Sequence, residues 1–158
     1  MAVTISGSDG GAAVTTATQK ILQVVQGTTS TEVVSNTTAD ADTTLTANIT
    51  PSATSSKVLV LVEQAGCGKR SGDTWLNLKL VRGSTTIITF CTFAGYTGSN
   101  ASNMIGTIST SFLDSPSTTS QTTYKTVMST GNTPGTHHVQ EADAGAQTST
   151  ITLIEVAG

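Results

Sequence analysis

Short runs with apolar residues at every second position alternate along this chain with clusters of Gly, Ser, Thr, Asn and Asp. A period of two places successive side chains on opposite faces of an extended strand, whereas a helix needs apolar positions three and four apart, and no long window holds that spacing. The pattern predicts strands at 20–26, 31–36, 43–49, 57–64, 74–82, 85–93, 104–112, 122–129, 136–139 and 149–156, hence an all-β chain. "KVLVLVEQ", beginning at Lys57, is apolar on both pleat faces and predicts a central strand covered on both sides by a second sheet or a neighbouring subunit. "TWLNLKLV" places Leu76, Leu78 and Leu80 on one face and Trp75, Asn77 and Lys79 on the other, as a half-buried strand does.

A tight turn at Arg82, Gly83 and Ser84 joins that strand to "TTIITFCTF" as a hairpin. In "STITLIEV", Ile151 and Leu153 share a face while Ile154 and Val156 lie on the other, so the last strand is expected to be covered rather than exposed at an edge. "FLDSPSTTSQTTYKTV" reads as a connection: Asp114, Ser115 and Pro116 start a turn, and Tyr124 opens the next strand. Together these elements predict a jelly-roll-like antiparallel β-sandwich, with an immunoglobulin-like sandwich as the alternative.

Composition supports a folded domain of this kind. A chain of 158 residues suits one domain of ordinary size. Charged residues are 11% of the chain and Thr is about a fifth, so the surface is expected to be rich in hydroxyls. With only 3 Pro and many β-branched residues, the chain departs from the composition of disordered segments. The sandwich is expected over 19–158. Residues 1–18, "MAVTISGSDGGAAVTTAT", form an N-terminal arm in which Val3 and Ile5 alternate before a Gly-rich break; it reads as a flexible linker or as an arm that docks on a partner.

A formal charge of −3 with only 7 basic residues gives no footprint for a phosphate backbone, so no nucleic-acid partner is expected. The longest apolar run, 58–62, is far short of a membrane span, and the start of the chain lacks the pattern of a signal peptide. Synthesis in a cytoplasm and no membrane association are therefore expected. Cys67 and Cys91 lie near strands and could face each other, but buried, reduced thiols are the expectation in that compartment.

Candidate chemistry is sparse. His137 and His138 are adjacent, so on a strand they point to opposite faces; with Glu141 and Asp143 nearby a loop metal site is conceivable, against a plain solvent-facing hairpin. No metal or other cofactor is expected. Asp40 and Asp42 flank Ala41 without the Gly and Glu of a calcium loop, and read as solvated carboxylates in a turn. There is no "GxSxG", and the carboxylates are scattered rather than paired as a glycan hydrolase needs, so no enzyme activity is expected. "GCGKRSGD", at 66–73, reads as a strand connection that leaves Lys69 and Arg70 on the surface for an acidic patch on a partner. In "CTFAGYTGSNASNM", Phe93, Tyr96, Asn100 and Asn103 combine rigid aromatic area with adaptable amides, as binding loops do; the alternative is a long loop pinned by two buried aromatics.

"KILQVVQGT", "TANITPSATSSKVLVLV", "LVRGSTTI", "SFLDSPSTTSQTTYKT" and "TSTITLIEVAG", in this order, resemble a family of small jelly-roll virion proteins and fibre-tip domains of tailed bacteriophages. The resemblance covers roughly 19–158 and implies a non-enzymatic virion domain, a homotrimer, with no catalytic residues to carry over. Fewer than twenty residues precede the sandwich, which favours a stand-alone unit over a fibre tip. The expectation is a decoration or cement protein on the capsid surface that binds the major capsid protein through Val3, Ile5, Lys69 and Arg70. The alternative is a tail protein, a short fibre or spike tip whose loop at Phe93, Tyr96, Asn100 and Asn103 meets a host surface glycan or protein.

Overall fold

The computed structural model describes residues 20–99, 101–132, 135–143 and 145–158, and all regular structure among them is strand. The strands are β1 (Ile21–Thr29), β2 (Val33–Ser35), β3 (Ala41–Ile49), β4 (Lys57–Ser71), β5 (Leu76–Arg82), β6 (Thr85–Ala94), β7 (Asn103–Asp114), β8 (Thr122–Thr130), β9 (Thr136–Val139) and β10 (Ser149–Val156). Each strand predicted from the alternating pattern is present. The proposed arm, with Val3 and Ile5, lies outside the described residues.

One sheet holds β1, β10 and β4 in that order, with β7 on the other side of β4; the second runs β3-β8-β5-β6. Setting the short β2 and β9 aside, the antiparallel pairs are nested: β1 with β10, β3 with β8, β4 with β7, and β5 with β6. The first long strand thus pairs with the last, and the pairing closes inward to a single hairpin. A ribbon folded in this way and wrapped into two facing sheets is a jelly roll.

β4 runs the whole length of the first sheet. It pairs β10 over Lys57 to Glu63, then β9 from Gly68 onward, while β7 follows it along the other side. The segment 66–73 is therefore largely strand, not the connection its glycines suggested. Gly66 and Gly68 serve close approach here: a Cβ on Gly66 would stand 2.3 Å from the Glu141 amide nitrogen, and one on Gly68 2.3 Å from the His138 ring.

Two apolar clusters fill the space between the sheets. The larger comprises Leu45, Ile49, Val58, Val60, Val62, Leu80, Tyr124, Ile151 and Leu153, among others; the smaller comprises Cys67, Leu76, Leu78, Met128 and Val139. A buried polar seam lies between them in the strand order, formed by Thr43, Gln64, Thr126, Gln140 and Ser149, all fully buried. Thr126 Oγ1 donates to Gln64 Oε1 at 2.7 Å, Gln64 Nε2 donates to Ser149 Oγ at 3.2 Å, and Ser149 Oγ also accepts the Ala65 amide at 2.9 Å. Satisfied in this way, the seam fixes the register of four strands without leaving its own polar groups bare.

The cysteines are free thiols at the smaller cluster, and burial pushes Cys67 up to about 12. At the opposite end, Asp114 accepts a hydrogen bond from Tyr124 Oη at 2.7 Å and pairs with Arg82 at 2.6 Å. The loop between β7 and β8 is thus closed by the two residues that bracket it.

Candidate functional site

Three features were candidates for function: the basic pair at the end of β4, the histidine pair on β9, and the aromatic loop after β6. The fold brings all three to the end of the sandwich that holds the smaller apolar cluster, because the last turns of β4 meet β9 and the start of β7 there.

Lys69 is fully buried, which corrects the expectation of a surface lysine. Its ammonium donates to Thr97 Oγ1 at 2.7 Å and to the Ser99 carbonyl at 2.8 Å, so it ties the β6–β7 loop to β4. Arg70 lies at the surface, its side chain 34% exposed, but its charge is engaged by Glu32 at 2.6 Å, Glu141 at 2.9 Å and Asp143 at 3.2 Å. Asp40 and Asp42, expected to be solvated, pair with Lys79 and Lys125 respectively.

The two histidines are buried, not solvent-facing. His137 is the cross-strand partner of Lys69, and neither of its ring nitrogens has a hydrogen-bond partner. Burial, with His138 and Lys69 adding to it, pushes His137 down to about 4. Burial also lowers His138, against the pull of Glu141, whose Oε2 stands 2.6 Å from Nε2 without hydrogen-bond alignment. Both rings are therefore neutral at pH 7. Among the described residues no group of three or more His, Cys, Asp or Glu side chains is arranged to hold a metal ion. A cleft of about 320 Å³ opens beside Arg70, Ser102, Met104, His138 and Glu141.

The loop aromatics are exposed, which removes the reading of a loop pinned by two buried rings. Phe93 is 52% and Tyr96 42% exposed. They meet a third ring that the sequence placed on the outer face of β5 but did not connect to the loop. The Trp75 and Phe93 centroids are 4.4 Å apart, Phe93 and Tyr96 4.6 Å, and Trp75 and Tyr96 5.8 Å. A β-bulge accounts for the meeting. Leu78 pairs with Cys91 and Leu76 with Ala94, so both Thr92 and Phe93 stand opposite Asn77. Without the extra residue, Phe93 would share the inward face with Cys91; with it, Phe93 turns out to solvent at φ 61°, accepting a backbone conformation rare for a bulky residue.

The backing of the rings is equally specific. Gly131 lies under Trp75, where a Cβ would come within 2.0 Å of the indole, and its amide donates to the Trp75 carbonyl at 2.9 Å. Asn103 Nδ2 donates to the Gly95 carbonyl at 3.2 Å and Ser102 Oγ to the Arg70 carbonyl at 2.8 Å, closing the loop that carries Tyr96. Asn103 thus holds the loop, while Asn100 lies outside the described residues.

A further surface was half visible in the sequence. "KVLVLVEQ" is central as predicted, yet its outer face is open: Leu61 is 38% exposed. Across the outer face of the first sheet, Val24 stands opposite Ile154, Ile154 opposite Leu59, and Leu59 opposite Leu113. These four apolar residues form one row over four strands, with Val24 58% and Leu113 50% exposed and Ile154 and Leu59 half-buried. Leu22 and Leu61 flank the row.

No protein-family model matches the chain, and no curated protein matches it. Among solved structures it is similar to the crystal structure of the infectious bursal disease virus VP2 subviral particle, with a TM-score of 0.43 and 13% identity over 85% of this chain and 39% of that chain. The chain thus spans well under half the length of that protein.

Proposed function

We propose that this is a non-enzymatic virion structural protein, a capsid decoration or cement unit that assembles as a homotrimer and stabilises the shell it binds. The observation that carries the proposal is the apolar row Val24, Ile154, Leu59 and Leu113 on an otherwise hydroxyl-rich sheet face. Soluble monomers rarely leave a contiguous apolar strip of this kind uncovered. Covering a half-exposed Val or Leu contributes about 1 kcal/mol, so three copies of the row supply a useful driving force. The surrounding Thr and Ser side chains pack against an identical surface without the desolvation cost of charges. A unit that binds only the assembled shell stabilises it as any ligand of a native state does.

The jelly-roll topology and the resemblance of the turn-and-strand segments to phage virion proteins both fit this reading. A short tail fibre or spike tip is the second reading, favoured by the exposed rings of Trp75, Phe93 and Tyr96. The copy number of the protein in purified particles, relative to the major capsid protein, separates the two. A ratio comparable to the capsid protein is expected of a decoration unit; a few copies per particle would transfer the assignment to the tail.

A further inference from the structure

We infer that Trp75, Phe93 and Tyr96 form a stacking platform for a neutral pyranose ring of a glycan, with the Asn77 amide beside Phe93. The inference does not rest on where the protein sits in a particle, nor on its oligomeric state.

The concentration of rings at this corner is the first ground. The chain has 1 Trp, 2 Tyr and 3 Phe, and the Trp, one Tyr and one Phe meet here, two of them open to solvent. A core-building use of so few aromatics would bury them, as Tyr124 is buried at the other end. The second ground is the bulge. At φ 61°, Phe93 holds a conformation that costs free energy and would be relieved by Gly or Asn, and its effect is to move the ring from the core face to the surface beside Trp75. The strained backbone exchanges core burial of the ring for surface contact with Trp75 and Tyr96.

The third ground is pre-organisation. Gly131 seats the indole from behind, and the buried ammonium of Lys69 fixes the loop at Thr97 and Ser99 on either side of Gly98. Asn77 Oδ1 lies 3.4 Å from the Phe93 amide nitrogen, at the centre of the bulge. Rings held in place before binding lose little freedom on contact, which matters most for weak, small ligands.

The chemistry of the surface selects the ligand. A pyranose presents an apolar face of C–H groups bounded by hydroxyls, and so matches an aromatic face bounded by amides and hydroxyls. A stable protein contact buries about 800 Å² on each partner, whereas three partly exposed rings offer at most a few hundred. Stacked nucleobases would require a cationic track for their phosphates, and the chain carries a formal −3 with Lys69 already engaged. The cation that meets this loop, Lys69, is already held by the Thr97 hydroxyl and the Ser99 carbonyl, so the sugar is expected to be neutral.

Trp75 is the chain's lone tryptophan, so its emission reports on this corner alone. The full chain is titrated with methyl β-galactopyranoside and with methyl β-glucopyranoside, followed by tryptophan fluorescence and by saturation-transfer NMR. The expected result is a saturable emission change with at least one of them and transfer to the C–H groups of one ring face. Tyr96→Ala should weaken binding about tenfold and Tyr96→Phe should retain it; thermal melts of both variants confirm that the fold is kept. Absence of a saturable response to either glycoside up to the millimolar range would overturn the inference. So would an emission change that depends on protein concentration alone, because a second copy of the chain would then cover the rings.

Discussion

The two ends of the sandwich share the same sheets but are built to different rules. At the end holding the larger apolar cluster, register shifts are confined to single steps, at Ile21/Gln23 and Leu80/Val81, and the buried carboxylates are saturated. Glu155 accepts from the Ser52 amide and hydroxyl, each at 2.7 Å, and from Gln23; burial alone would raise its carboxyl, yet these bonds together with Ser56 hold it at about 2. Asp114 is saturated by Tyr124 and Arg82. At the other end β4 shifts register twice, β6 bulges, Phe93 and Gln140 have positive φ, and His137 is buried with no hydrogen bond. The difference lies in the buried ionisable groups, which are saturated at the first end and left without hydrogen bonds on β9 at the second. The buried seam through Gln64 separates the two, so each end can differ without disturbing the other.

The sharpest way to break this comparison is at the core of the regular end. Leu153→Ala should cost about 2–5 kcal/mol in urea unfolding, since Leu153 is fully buried against saturated strands that cannot collapse around a cavity. Gln64→Leu at the seam should cost about 1–3 kcal/mol, because it removes one of the two side-chain partners of the buried Thr126 hydroxyl and one bond at Ser149.

Acid should separate the ends in order. His137 titrates near 4 when folded and 6.5 when unfolded, so its contribution is whole above pH 6.5 and fades as pH falls toward 4. Glu155, lowered from 4.5 to about 2, keeps its contribution above pH 4.5 and loses it only between there and about 2. Hydrogen exchange should therefore loosen β9 before β10, and His137→Phe should weaken the first phase, the part left coming from His138, which burial lowers in the same direction. The smallest effect is expected at the strained bulge. Phe93→Gly should leave stability within about 1 kcal/mol of the parent, relief of the positive φ offsetting the lost ring contact. A cost as large as that of Leu153→Ala would make Phe93 a structural residue and end the contrast.

The regular end was legible in the sequence because alternation is a local signal. The turn at Gly83, the leucine face of β5 and the bracketed loop from Phe112 to Tyr124 all lie where the pattern put them. The irregular end was not, because its features depend on partners distant in the chain. Gly66 and Gly68 read as turn residues, while their use is to admit the Gln140–Glu141 backbone and the His138 ring. Lys69 read as surface, since nothing local announces that the Thr97 hydroxyl and Ser99 carbonyl will cover it. Trp75 was correctly assigned to an outer face, and only the bulge at Phe93, invisible to a period of two, brings the loop rings to it. The open face of "KVLVLVEQ" is a related case: doubly apolar patterning indicates that a cover is needed, and none of the described residues supplies it.

That missing cover is the central claim, and sedimentation equilibrium of the full chain tests it directly, alongside Leu113→Glu and Val24→Glu. Both positions are exposed in the isolated subunit, so a charge there leaves the fold intact while breaking the apolar row. The parent chain should sediment as a trimer and either variant as a monomer. A parent chain that stays monomeric at micromolar concentration, or a trimer indifferent to both charges, would contradict it.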